Sequence, residues 1–190
     1  MTEIIQSIWI SLDGMYEGPE KWDLNFNSLC WGPEVKRIAD AENRSAGGLL
    51  LGRRTYEDFA KNFPKDKSKF AAVLNALPKY VVSRTLKRAE WKNTTIISRD
   101  LVRSDKRIKA QKGKPLFIFG SGELASTLTK HGLIDEYRLL LTPVVVGAGT
   151  PLFKPSPRAM AFRLVSARAL KTGGIILTYR PKKTRIKLRE

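Results

Sequence analysis

Three short turns in this chain carry residues able to grip phosphate. An apolar run, Leu116, Phe117, Ile118 and Phe119, stops at Gly120-Ser121-Gly122, and Leu124, Ala125 and Leu128 then recur at helical spacing. A buried strand that turns at glycines straight into a helix presents bare backbone N–H groups at the helix's positive end, a cradle for pyrophosphate. Taken alone, the same residues equally describe a tight strand-to-helix turn without a ligand. A second turn, Gly52-Arg53-Arg54-Thr55, follows Leu49-Leu50-Leu51, again at a helix start, with two guanidinium groups and a hydroxyl at hand. By itself that pair of arginines is a solvated helix start with Thr55 as its cap. The third turn is Ser83-Arg84, after Tyr80-Val81-Val82. Arginine forks suit a phosphate monoester, such as the 2′-phosphate of NADPH, better than the neutral ribose of NADH. Three such turns after three strands favour a dinucleotide site.

Hydride transfer from a nicotinamide needs a planar acceptor held against the cofactor and a source of protons, which the protein positions. The loops after the first strand offer Asp13 in SLDG, Trp22 and Asp23, with Glu34 at the following helix start. Each has a plainer reading. Asp13-Gly14 is a natural turn pair, Asp23 reads as an exposed carboxylate, and Trp22 as packing.

The elements that must hold these residues follow from the pattern of apolar runs. Strands are expected at Ile4 to Ser11, Leu49 to Leu51, Tyr80 to Ser83, Thr95 to Ser98, Leu116 to Phe119 and Glu136 to Val146, the last broken by Pro143. Phe162 to Leu170 and Gly174 to Tyr179 read as an antiparallel hairpin around Lys171-Thr172-Gly173. Leu12 to Gly18 reads as a polar loop. Helices are expected from Pro33 to Ala46, from Arg54 to Ala60, within Lys65 to Ala76 and from Leu101 to Gln111. Eight strands with helices interleaved through the first two-thirds predict an α/β fold, a mostly parallel sheet with an antiparallel end. In such sheets ligands lie beyond the carboxyl ends of the strands.

Composition narrows the classes further. A length of 190 residues suits one core, and the 42% apolar content is that of a globular chain. No apolar run reaches membrane-spanning length and MTEIIQS has no leader pattern, so a cytoplasmic protein is expected, with no membrane partner. A lone Cys30 cannot close an internal disulfide and reads as a small buried apolar residue; with a lone His131 it also excludes ordinary zinc sites, and no metal is expected. The net charge of +17 is the outlier. It attracts phosphates, from nucleotides to nucleic acids, although the basic residues are spread between Arg84 and Lys114 and the tail KKTRIKLRE. Solvated faces account for them more simply than a dedicated nucleic-acid site.

The segments SIWISLDGMYEG, LLLGRRTYEDF, KYVVSRTL, LFIFGSGELASTL, GLIDEYRLLLTPVVVGAGTPLF and GGIILTYR, in that order, resemble the dihydrofolate reductase superfamily. The resemblance is to the group related to the C-terminal reductase domain of riboflavin-biosynthesis deaminase-reductases. It runs almost to Pro181, implying one domain over 1–181 and a basic tail over 182–190. It implies a dihydrofolate reductase-like, eight-stranded sheet that binds extended NADPH, and a homodimer. Arg53, Arg54 and Thr55 would then hold cofactor phosphates, Ser83 and Arg84 the adenosine 2′-phosphate, and Gly120, Ser121, Gly122, Glu123 and Leu124 the pyrophosphate. In the riboflavin branch the SLDG aspartate lies at the substrate end, which makes Asp13 the first catalytic candidate; a pterin-orienting carboxylate, as in the folate branch, would fall to Asp23. The chain lacks the H-x-E and P-C-x-x-C deaminase signature, and GPEKWDLNFNSLCWGP matches neither branch. The implied activity is NADPH-dependent reduction of a pterin-like or 5-amino-6-(5-phosphoribosylamino)uracil-like substrate. A non-catalytic nucleotide- or nucleic-acid-binding protein on the same fold is the alternative.

Overall fold

The apolar runs become the strands of one central sheet. The computed structural model describes residues 1–99, 109, 113–155 and 159–185. In chain order the sheet strands are β1 (Ile4–Ile10), β3 (Gly48–Gly52), β4 (Lys79–Val82), β5 (Thr94–Ile97), β6 (Leu116–Phe119), β7 (Glu136–Leu141), β9 (Met160–Ala169) and β10 (Ile175–Arg185). Two further strands, β2 (Met15–Glu17) and β8 (Thr150–Pro151), pair with each other apart from it. The sheet order is β5-β4-β3-β6-β1-β7-β10-β9. Strands β5 through β7 in that order are parallel, while β10 runs antiparallel to both β7 and β9. This is the dihydrofolate reductase-like arrangement expected, an eight-stranded, mostly parallel sheet closed by an antiparallel hairpin.

Both faces of the sheet are covered, which is why its central strands read as unbroken apolar runs instead of alternating ones. The helices are α1 (Pro33–Ser45), α2 (Arg53–Asn62), α3 (Lys69–Ala76) and α4 (Gly122–Lys130). Ile4, Ile8 and Ile118 pack with Leu124, Ala125 and Leu128 of α4. Their strand neighbours Ile5 and Phe117 point the other way and pack with Leu49, Leu51, Tyr56 of α2 and Leu74 of α3. Cys30 is fully buried in a third cluster with Val35, Leu140 and Leu170. No helix among the described residues is long and apolar enough to cross a membrane.

Several boundaries differ from the sequence reading. The strand expected to run from Glu136 to Val146 stops at Leu141. Pro143 has no N–H to give a ladder, and the chain beyond it turns to receive the first loop, with Leu12 N–H donating to Val144 O at 2.8 Å. Part of that first loop is strand β2, which the polar reading of Leu12 to Gly18 did not reveal. At the other end β10 continues past Pro181 to Arg185, so four residues assigned to the tail extend the hairpin. Pro181 is tolerated because β7 pairs with β10 only as far as Tyr179. The helix expected over Leu101 to Gln111 lies outside the described residues, apart from Lys109.

A candidate active-site cleft at the carboxyl ends of the strands

Strands β4, β3 and β6 are parallel neighbours, so their carboxyl ends share one edge of the sheet. Their three following turns line a single cleft of about 1000 Å³. Gly52, Arg53, Arg54, Thr55, Ser83, Arg84, Gly120, Ser121, Gly122, Glu123 and Leu124 are all on its wall.

The β6 turn owes its shape to backbone conformation. Gly120 and Ser121 both take left-handed angles, with φ of 60° and 49°. A serine is an unusual occupant of that region, and here its hydroxyl is fixed by accepting the Gly52 N–H at 3.1 Å. One hydrogen bond thus ties the β3 turn to the β6 turn. From below, Gln6 Nε2 donates to Gly120 O at 2.9 Å. No side chain caps α4, so the first N–H groups of the helix, which have no acceptor within it, are left for an anion. Gly122 is a glycine for a different reason: a Cβ there would meet the Tyr16 ring at 2.3 Å. Burial pushes the Tyr16 hydroxyl up to about 12, with Glu17 and Glu123 adding to the shift.

The arginines of the turns are not alike. Arg53 pairs with Glu57 at 3.0 Å on the exposed side of α2. Arg54 pairs with Glu17 at 3.0 Å and lies 5.2 Å from the Trp22 ring centroid. Among the described residues, only Arg84 of the cleft's four arginines carries no ion pair. Ser83 is buried, and its Oγ accepts the N–H groups of Thr85 and Leu86 at 3.2 and 2.9 Å, which fixes the Arg84 turn.

The catalytic candidates separate. Trp22 lines the cleft; Asp13 and Asp23 do not. The Asp13 carboxylate accepts from Ser11 Oγ at 2.6 Å, Val146 N–H at 3.1 Å and Gly147 N–H at 2.8 Å, which makes it a staple between two loops. Those bonds, Ser11 first, hold its carboxyl down at about 2. Asp23 accepts from Asn25 Nδ2 and packs over Gly18, where a Cβ would meet its Oδ2 at 2.1 Å. The plainer reading of both residues matches these contacts.

Other groups line the rest of the cleft. Trp9 and Trp31 stand 6.1 Å apart, tilted by 30°. Glu42, on α1, is 8% exposed and accepts from Ser7 Oγ at 2.8 Å and Arg138 at 3.1 Å. Arg138 also donates to Glu136 at 2.8 Å, and Glu136 accepts from Arg180 at 2.9 Å. Glu17, 6% exposed, joins Arg54, the Trp22 N–H at 2.6 Å and Thr150 Oγ1 at 3.4 Å. Sequence reasoning missed Glu17, Glu42 and Asn43. A signal existed for the last two: Val35, Ile38, Ala39, Glu42, Asn43 and Ala46 form one stripe of a helix, and two polar residues interrupt its apolar character.

Fold and cleft together define an α/β protein of the dihydrofolate reductase type, with its site at the strand ends. The chain belongs to the RibD C-terminal domain family, whose model matches residues 2–176. It is 26% identical over 185 residues to uncharacterized protein YyaP of Bacillus subtilis (strain 168), covering 93% of each chain. It is 28% identical over 165 residues to YwjB of the same organism, covering 83% of this chain and 86% of that one. Among solved structures, Acinetobacter baumannii RibD superposes with a TM-score of 0.69 at 14% identity, over 96% of this chain and 58% of that one. A pyrimidine reductase-like protein of Corynebacterium diphtheriae NCTC matches at TM-score 0.64 and 12% identity, over 96% and 93%. At these identities the structural likenesses establish the fold.

Proposed function

We propose that this chain is an NADPH-dependent reductase acting on a planar heterocycle, in the range from pterin-like to 5-amino-6-(5-phosphoribosylamino)uracil-like compounds. The observation that carries this reading is the meeting of three strand-end turns in one cleft, with the uncapped start of α4 and the unpaired Arg84 both on its wall. Backbone N–H groups at Gly122 to Leu124 suit a pyrophosphate. Arg84, held out by the Ser83 turn, suits the adenosine 2′-phosphate. Arg53 and Arg54 enter already paired, so the reading gives them smaller parts in binding.

NADPH, when bound, would supply the hydride; the chain supplies orientation and a shaped site. Trp22, Trp9 and Trp31 are on the cleft wall and offer flat faces to a planar acceptor. Ser7 Oγ is the protic group on the floor, and Glu42 holds its proton by accepting from it. Arg138 pairs with Glu42 at 3.1 Å and holds it in place.

Thermal unfolding tests the proposal without a known substrate. NADPH is expected to raise the melting temperature more than NADH does, and R84A to abolish the difference. An equal response to the two nucleotides in the wild-type protein overturns the assignment.

A further inference from the structure

At the inner end of the cleft one side chain has nothing to bind. Asn43, in the last turn of α1, is 2% exposed and lines the cleft. Neither its Oδ1 nor its Nδ2 has a hydrogen-bond partner among the described residues. The lining of the same cleft includes Ala39, Phe59, Phe63, Phe70 and Leu74, whose side chains carry no polar group. A buried amide left unpaired costs stability that an apolar residue at the same place would not. The α1 stripe is otherwise suited to a leucine, since Val35, Ile38 and Ala39 precede Asn43 on it. Asn27, at the tryptophan end, repeats the feature with an unpartnered buried Oδ1.

Three of the cleft's four arginines are already paired. Glu42 and Arg138 neutralise each other, and Arg53 and Arg54 are held by Glu57 and Glu17. Among the described residues Arg84 is the one cleft arginine left without an ion pair, and the proposed nucleotide site takes it, so a second phosphate or carboxylate would find no other unpaired arginine on the cleft wall. A neutral amide would find its complement in Asn43: a carboxamide accepts at Oδ1 and donates at Nδ2, so it closes two hydrogen bonds with a ring N–H next to a carbonyl.

We propose that Asn43 is a specificity-determining residue, taking the amide-like edge of an acceptor whose inner end is uncharged and otherwise apolar or aromatic. The inference rests on the reductase reading of the cleft and narrows its substrate. It places any phosphorylated sugar of the acceptor at the mouth, away from the α1–α3 chamber.

The test uses uracil, 5-aminouracil and lumazine, each beside its N1,N3-dimethylated counterpart, which keeps the ring and loses both ring N–H donors. Affinity is read with and without NADPH in the wild-type chain, N43L and N43A. The wild type is expected to prefer the N–H member of at least one pair by tenfold or more, and N43L to bring that ratio near one. NADPH alone should still stabilise N43L as it does the wild type. Without ligands, N43L is expected to melt about 3 °C or more above the wild type, because the unpaired amide is gone. N43A cannot overpack and reads the same ratio if leucine does not fit. If the wild type treats both members of every pair alike, no response included, the Asn43 subsite is overturned. An absent NADPH shift with the N–H preference retained overturns the reductase reading and leaves the subsite standing.

Discussion

The two ends of the cleft are built from different materials. At the strand-end turns the site is made of backbone: left-handed angles at Gly120 and Ser121, an uncapped helix start, and a turn closed by Ser83. Across from it, the α1 end is made of buried side chains that hold one another, Ser7 to Glu42 to Arg138 to Glu136. A backbone site is set by local residues and, on the function proposed, would take what every dinucleotide shares. A side-chain site can be re-specified one residue at a time, as expected where relatives of one fold differ in substrate.

The largest effect expected from this difference is at Glu42. E42A leaves Ser7 and Arg138 without a shared acceptor, and breaking a partly buried pair of this kind is expected to cost about 2 kcal/mol, less than a fully buried one because Arg138 is 30% exposed. Urea unfolding measures it, and the NADPH-induced shift in melting temperature should survive. If E42A abolished that shift, the two ends would not be separable.

Next in size is R84A, expected to weaken NADPH about tenfold, as loss of a charge-assisted contact to the 2′-phosphate implies, and to leave NADH unchanged. Calorimetric titration checks both. D13N comes third and tests whether Asp13 is a loop staple. The Asp13 carboxyl lies at about 2 in the folded chain, below its ordinary value near 3.8. A depressed carboxyl stabilises the fold above its unfolded pKa, and that contribution disappears as pH falls through the folded value. D13N should therefore melt below the wild type at pH 7, with the gap closing between about pH 4 and pH 2. A gap independent of pH would contradict the staple. The smallest effect is at Arg54: because Glu17 and Trp22 already hold it, R54A should change NADPH affinity by no more than about twofold while shifting Trp22 fluorescence. A tenfold loss would return Arg54 to the phosphate site.

The same contrast explains what the sequence could reveal. Gly120-Ser121-Gly122 after four apolar residues marks its turn locally, and so do Gly52-Arg53-Arg54 and Ser83-Arg84, because strand ends and glycines are features of neighbouring residues. The order of the apolar runs was enough for the sheet and its final hairpin. Glu42 is 35 residues from Ser7 and 96 from Arg138, and pairs at such distances leave no local pattern. The contacts of Asp13 were hidden for the same reason: two of its partners, Val146 and Gly147, lie 133 and 134 residues away, so the link between the two loops could not be read beside it. Pro143 did mark the end of β7, but the path of the chain beyond it was set by the Leu12 loop.

A crystal structure of the chain soaked with NADPH tests the central claim most directly. The account predicts density for the pyrophosphate against the N–H groups of Gly122 to Leu124 and for the 2′-phosphate within hydrogen-bonding reach of Arg84. Nucleotide density elsewhere on the basic surface, with the three turns empty, would contradict it.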